Sequence, residues 1–165
     1  MADYYTECSF MVVDLPEDAI VYALELADRM HETMGCDIDE LVREDSIPDD
    51  EFTALVRTFD ENLWIGGASI TRDGDGLWIT HDESINIDAV AQLLHEVLKK
   101  FDLDNIISFE YACTCSKPRT DAYGGGAAVV TKDEMLIEGS WSHVGRMIME
   151  VEAKREKKDG NTSNN

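Results

Sequence analysis

Basic side chains are scarce in this chain. Its 14 Lys and Arg stand against 35 Asp and Glu, a net charge of −21 over 165 residues. Binding to nucleic acid draws most of its affinity from cations that neutralise phosphates, so direct nucleic-acid binding is not expected, and neither is docking on an anionic membrane. No run approaches the 18 or so apolar residues of a membrane span, and Met1 to Tyr5 carry no basic and apolar signal, so a soluble cytoplasmic protein is expected. Cysteine is sparse too: without a secretion signal, Cys8, Cys36, Cys113 and Cys115 are expected as reduced thiols, Cys8 and Cys36 packed as small hydrophobes. Catalytic and metal signatures are also lacking. Ser116 and Ser140 have no elbow motif around them, and no nucleophile is paired in sequence with His81, Asp82 and Glu83. His95 reads as a boundary histidine on a helix. The chain therefore leans toward a non-enzymatic reading, with no cofactor and no metal, and an enzyme acting through the segment Lys117 to Gly126 stays open as the alternative.

What is present is acid, unevenly spread. Residues 1–61 hold 18 acidic and three basic side chains, a net of −15, while residues 62–165 account for −6. The density peaks at Asp37, Asp39, Glu40, Glu44, Asp45, Asp49, Asp50 and Glu51. A calcium loop starting at Asp37 would need Gly at its sixth position and an acid at its twelfth, where Val42 and Pro48 stand. These eight carboxylates are expected to form a face that steers toward and pairs with a basic surface of a protein or ribonucleoprotein.

A 44% hydrophobic content with apolar residues at helix and strand spacings predicts one folded domain over 1–152, with an acidic helical insertion near 37–58 and a flexible polar tail from 153. A strand over 6–13 leads into Asp14-Leu15-Pro16-Glu17, read as a capped helix start with Asp14 as N-cap. Ala19, Ile20, Ala23, Leu24, Ala27, Met30 and Met34 then make one stripe on a helix ending near Gly35. Two short helices flank Pro48. Strands over 63–71 and 77–81 meet at a Gly- and Asp-rich hairpin turn, and Asn86 caps a helix striped by Ile87, Val90, Leu93, Leu94, Val97, Leu98 and Phe101. A strand over 106–113, a loop over 116–126, a strand over 127–131, a short extended segment at Leu136-Ile137 and a helix from Ser140 complete the chain. The order β-α-(α)-β-β-α-β predicts an α+β fold of ferredoxin-like, split βαβ type, its antiparallel sheet covered by helices on one face, plus an extra strand and a C-terminal helix.

The loop offers a second reading. Lys117 and Arg119 form a basic island, and Gly124, Gly125 and Gly126 beside Tyr123 leave backbone N–H groups accessible to an anionic small molecule, or serve only to let the loop bend. The segment leads into a strand rather than a helix, unlike phosphate-binding loops. Cys113 and Cys115 lack a second ligand pair for zinc. Trp64, Trp78 and Trp141 are expected in core or edge packing, with a place at an interface open to one of them.

Through Tyr4-Tyr5-Thr6-Glu7-Cys8-Ser9-Phe10 and the two patches Ser116-Lys117-Pro118-Arg119 and Gly124-Gly125-Gly126, the chain resembles a group of small acidic bacterial, plasmid and phage proteins. The resemblance implies no activity and suggests a mobile-element origin. With the acidic composition it leads to the expectation of an interaction module, in its sharpest form an anti-defence inhibitor of a nuclease or CRISPR complex whose carboxylates stand where phosphates would.

Overall fold

Period-two alternation is visible along the strands: Val12, Leu77, Ile79, Ile107, Phe109, Ala128 and Val130 are buried, while their neighbours Met11, Trp78 and Ser108 face outward. A computed structural model describes residues 3–59, 65, 67–81, 83–117 and 123–162, with the side chains of 154–162 left aside. Its elements run β1 (Tyr4–Val12), α1 (Glu17–Glu32), α2 (Ile38–Arg43), α3 (Glu51–Val56), β2 (Ser69–Asp73), β3 (Gly76–His81), α4 (Ile87–Lys100), β4 (Ile107–Cys115), β5 (Gly124–Val130), β6 (Met135–Gly139) and α5 (Ser140–Thr162). The strands form one antiparallel sheet in the order β2-β3-β1-β4-β5-β6. This is the expected α+β class; the finer ferredoxin-like assignment goes no further than this strand order.

Helices α1 and α4 cover the apolar face of the sheet. Val90, Leu93, Leu94, Val97 and Leu98 on α4 and Ala19, Ile20, Ala23, Leu26 and Met30 on α1 are almost fully withdrawn from water. Each large aliphatic side chain buried this way contributes about 1.5–3 kcal/mol. Phe10 and Phe109 stack across β1 and β4 at 4.2 Å between ring centroids. Asn86 caps α4 as expected, its Oδ1 accepting from the Ala89 N–H at 3.1 Å. The hairpin is also as expected: Asp73 pairs with Gly76 around Gly74, whose φ of 60° suits glycine in a two-residue turn.

Several details differ from the sequence reading. Asp14 does not cap α1; it takes a φ of 58° in the turn before it, Pro16 holds the N-cap position, and the buried Leu15 docks by donating its N–H to Asp75 O. The helix stops at Glu32, leaving Met34 exposed and Gly35 at a φ of 69°. Cys36 is exposed rather than packed, because it lies beyond that helix end; Cys8 is buried, and burial pushes its thiol up to about 11. Gly124, Gly125 and Gly126 belong to β5 instead of a loop, and α5 continues to Thr162 through residues expected as a tail. Part of the strand expected over 63–71 lies outside the described residues, as does Trp64. Trp78 and Trp141 are exposed, the former with its Nε1–H donating to Ser9 Oγ at 3.1 Å on the open face of the sheet.

Candidate functional site

The acidic segment is folded, and the reason is a buried arginine. Arg29, only 8% exposed on the inner side of α1, reaches the start of α3. Its Nη1 and Nη2 donate to the two oxygens of Asp50 at 2.7 and 3.1 Å, Nη1 also reaches Thr53 Oγ1 and Pro48 O, and Nε donates to Glu32 Oε2 at 3.1 Å. A planar guanidinium matches a carboxylate in this two-pronged way, and the surrounding acceptors complete its donor set. Asp50 in turn caps α3 by accepting from the Thr53 N–H at 3.0 Å. The Arg29 hydrogen bonds, with that from Thr53, hold the Asp50 carboxyl down at about 2.

Two further ties fasten the segment. Arg57 donates to Asp39 at 3.1 Å and Asp49 at 2.7 Å, bridging α2 to the loop before α3. Lys100 on α4 binds Glu51 at 3.0 Å and lies 4.8 Å from the centre of the Tyr22 ring, which also packs against Phe52 and Phe101. Asp37 caps α2, accepting from the N–H groups of Asp39 and Glu40. Of the eight carboxylates singled out in the sequence, Asp37, Asp39, Asp49, Asp50 and Glu51 are thus occupied inside the fold. Glu40, Glu44 and Asp45 are exposed and bind no other described side chain. Asp45 sits in the turn after α2 at a φ of 54°, a conformation Asp tolerates better than most residues.

Sequence reasoning overlooked a second acidic row. Asp18, Glu25 and Asp28 recur at helical spacing along the exposed side of α1, and Arg29 fastens that helix to α3. The signal was present in the i, i+7, i+10 spacing.

The glycine segment presents a different geometry. Gly126 pairs with Tyr111 on one side and Gly139 on the other, Gly125 with Ala112, and Gly124 with Cys113. A Cβ on Gly126 would collide with the Tyr111 ring, so this glycine admits the tyrosine across the sheet. The Gly125 N–H donates to Ser140 Oγ at 3.2 Å rather than facing solvent. Lys117 is exposed, and Arg119 lies outside the described residues. What the segment does border is a cleft of about 330 Å³ lined by Tyr4, Tyr5, Tyr111, Tyr123, Cys113 and Trp141. A second cleft of about 350 Å³, at the start of α4 with Asn86 and Asp88, shares Thr6, Tyr111 and Cys113 with it. Burial raises the Tyr111 phenol above its ordinary range.

Catalytic candidates are tied up locally. His81 Nδ1 accepts from the N–H groups of Glu83 and Ser84 at 2.8 and 3.1 Å, and His95 Nδ1 meets Thr131 O at 2.8 Å. Among the described residues no three His, Cys, Asp or Glu converge as a metal site, and no helix is long and apolar enough to cross a membrane. No family model, curated protein or solved structure matches the chain.

Proposed function

We propose that this chain is a non-enzymatic interaction module that docks its acidic α1–α3 surface on a basic face of a protein or ribonucleoprotein. The observation that carries this reading is the Arg29 clamp. It holds the segment bearing Glu40, Glu44 and Asp45 in a defined shape while those three carboxylates keep no partner among the described side chains. A charged surface already ordered before contact loses less freedom on binding, and its field speeds encounter with a cationic partner. In its sharpest form the partner is a nuclease or CRISPR complex of a host defence, whose phosphate-binding groove the carboxylates would occupy.

The test is affinity capture with the tagged chain and with a Glu40→Lys/Glu44→Lys variant, eluted by a salt ladder and read by mass spectrometry. A basic partner retained by the wild type, released by salt and lost from the variant is the expected result. Retention that ignores both salt and the substitutions would rule the reading out.

A second reading rests on the aromatic cleft beside Gly124. Its volume and lining suit a small flat molecule stacked among Tyr4, Tyr111, Tyr123 and Trp141, with Lys117 nearby in sequence for an anionic group. A thermal-shift screen with phosphates, nucleotides and aromatic acids separates it from the first: a ligand that raises the midpoint for the wild type but not for Tyr123→Ala would favour the cleft.

A further inference from the structure

Helix α5 leaves the sheet at Gly139 and carries an apolar stripe that no described part of the same chain covers. Trp141, Val144, Met147, Ile148 and Val151 fall within about 120° of arc at 3.6 residues per turn, and all are exposed, Trp141 by 66% and Ile148 by 53%. Trp141, Val144, Ile148 and Val151 follow the three-four-three spacing of a helix–helix seam. Beside them, apart from its chain neighbours and its own helix backbone, Gly145 has no described atom within 4 Å of the place its Cβ would take. The fold of a single chain does not call for a glycine there, although one in a helix interior costs about 1 kcal/mol relative to alanine.

We infer that this stripe is covered by a second copy of the chain, the two α5 helices packing antiparallel in a symmetric dimer. Charge selects this occupant. Residues 140–162 contain five basic and four acidic side chains, a net of +1, whereas the remainder of the chain is −22. Among the described helices it is the long exposed one through which two such acidic bodies meet without setting net acid against net acid. In sequence the run 154–158, four basic residues and one acidic, lies toward the far end of α5, while Asp133, Glu134 and Glu138, the last paired with Arg146 of its own chain, precede its near end, on and before β6. Antiparallel packing brings each basic run over the partner's acidic base; parallel packing would set the two basic runs together. The area also suits a dimer. The five exposed stripe residues offer several hundred Å² of apolar surface, a large part of the roughly 800 Å² per partner of a standard interface. A two-fold axis makes such a patch self-complementary.

Sedimentation of the full chain up to about 100 µM, a range that detects micromolar association, tests the proposal. The wild type is expected at twice its 18.5 kDa, and Val144→Glu and Ile148→Glu at the single-chain mass with an unchanged thermal midpoint in dilute solution. A monomeric wild type overturns it, including one that binds lipid vesicles through α5, and so does a dimer that survives both substitutions. Orientation is read separately in a Cys36→Ser background: oxidation should crosslink Met147→Cys, near the crossing, and spare Trp141→Cys. A crosslink at 141 instead would overturn the antiparallel arrangement.

Discussion

Residues 37–57 and residues 141–151 make an instructive pair. The first stretch contains eight carboxylates between 37 and 51, and yet it is drawn onto the body by Arg29, Arg57, Lys100 and the Tyr22–Phe52–Phe101 cluster. The second is rich in Trp, Val, Met and Ile and stands in solvent. Composition alone would assign the two the opposite positions. The difference is in available partners: three cations and an aromatic cluster lie within reach of the acidic segment, whereas α1 and α4 already fill the apolar face of the sheet before α5 begins. A polar stretch with partners folds inward, and an apolar stretch without them waits for another surface.

The largest effect that would break this comparison comes from the same chemical deletion made in both settings. Ile79→Ala, in the core at 0% exposure, is expected to lower unfolding free energy by about 2–5 kcal/mol. Ile148→Ala, in dilute protein, should change it by no more than about 0.5 kcal/mol. Urea denaturation of both variants gives the numbers, and equal losses would mean that α5 is packed within the chain after all.

Next in size is the clamp. Arg29→Ala removes the Arg29 donor from Thr53 Oγ1 and Asp50, while Pro48 O keeps the Thr53 hydroxyl, and a loss of roughly 2–3 kcal/mol is expected, less than for a fully buried pair because Asp50 is partly hydrated. Hydrogen exchange should show the loss first in α2 and α3; uniform protection across these helices in the variant would sever the acidic segment from Arg29.

The smallest effect is on acid stability. Asp50 titrates at about 2 in the folded chain, below its ordinary 3.8, so its contribution is present above pH 4 and fades as pH falls through 2. Asp50→Asn keeps a capping side chain but gives up the charge. The stability gap between wild type and Asp50→Asn, roughly 1 kcal/mol at neutral pH once solvent screening is allowed for, should therefore close between about pH 4 and pH 2. A gap that stays constant across this window would place the stabilisation elsewhere than in the Arg29–Asp50 charge pair.

Much of the fold was legible because local rules and burial agreed. The α4 stripe with its Asn86 cap and the Asp73–Gly76 turn appear in the structure where the spacing puts them, since one periodicity serves both propensity and core packing. Asp14 was misread because a capping pattern and a left-handed turn use the same residue types. The glycines at 124–126 were misread because their reason lies across the sheet, in the ring of Tyr111. Of the acidic site, the clustering of carboxylates was plain, but which of them remain available was not.

The α+β class, the principal helices and hairpin, and the excess of acid in the N-terminal half follow from local pattern, all being properties of nearest neighbours and of composition. Long-range packing is what locks Asp50 to Arg29 and, among the described residues, leaves Glu40, Glu44 and Asp45 without side-chain partners and the α5 stripe uncovered. Pairing and burial depend on residues brought together from distant parts of the chain, Arg29 to Asp50 across 21 positions and Lys100 to Glu51 across 49, and no local pattern encodes which partner will arrive.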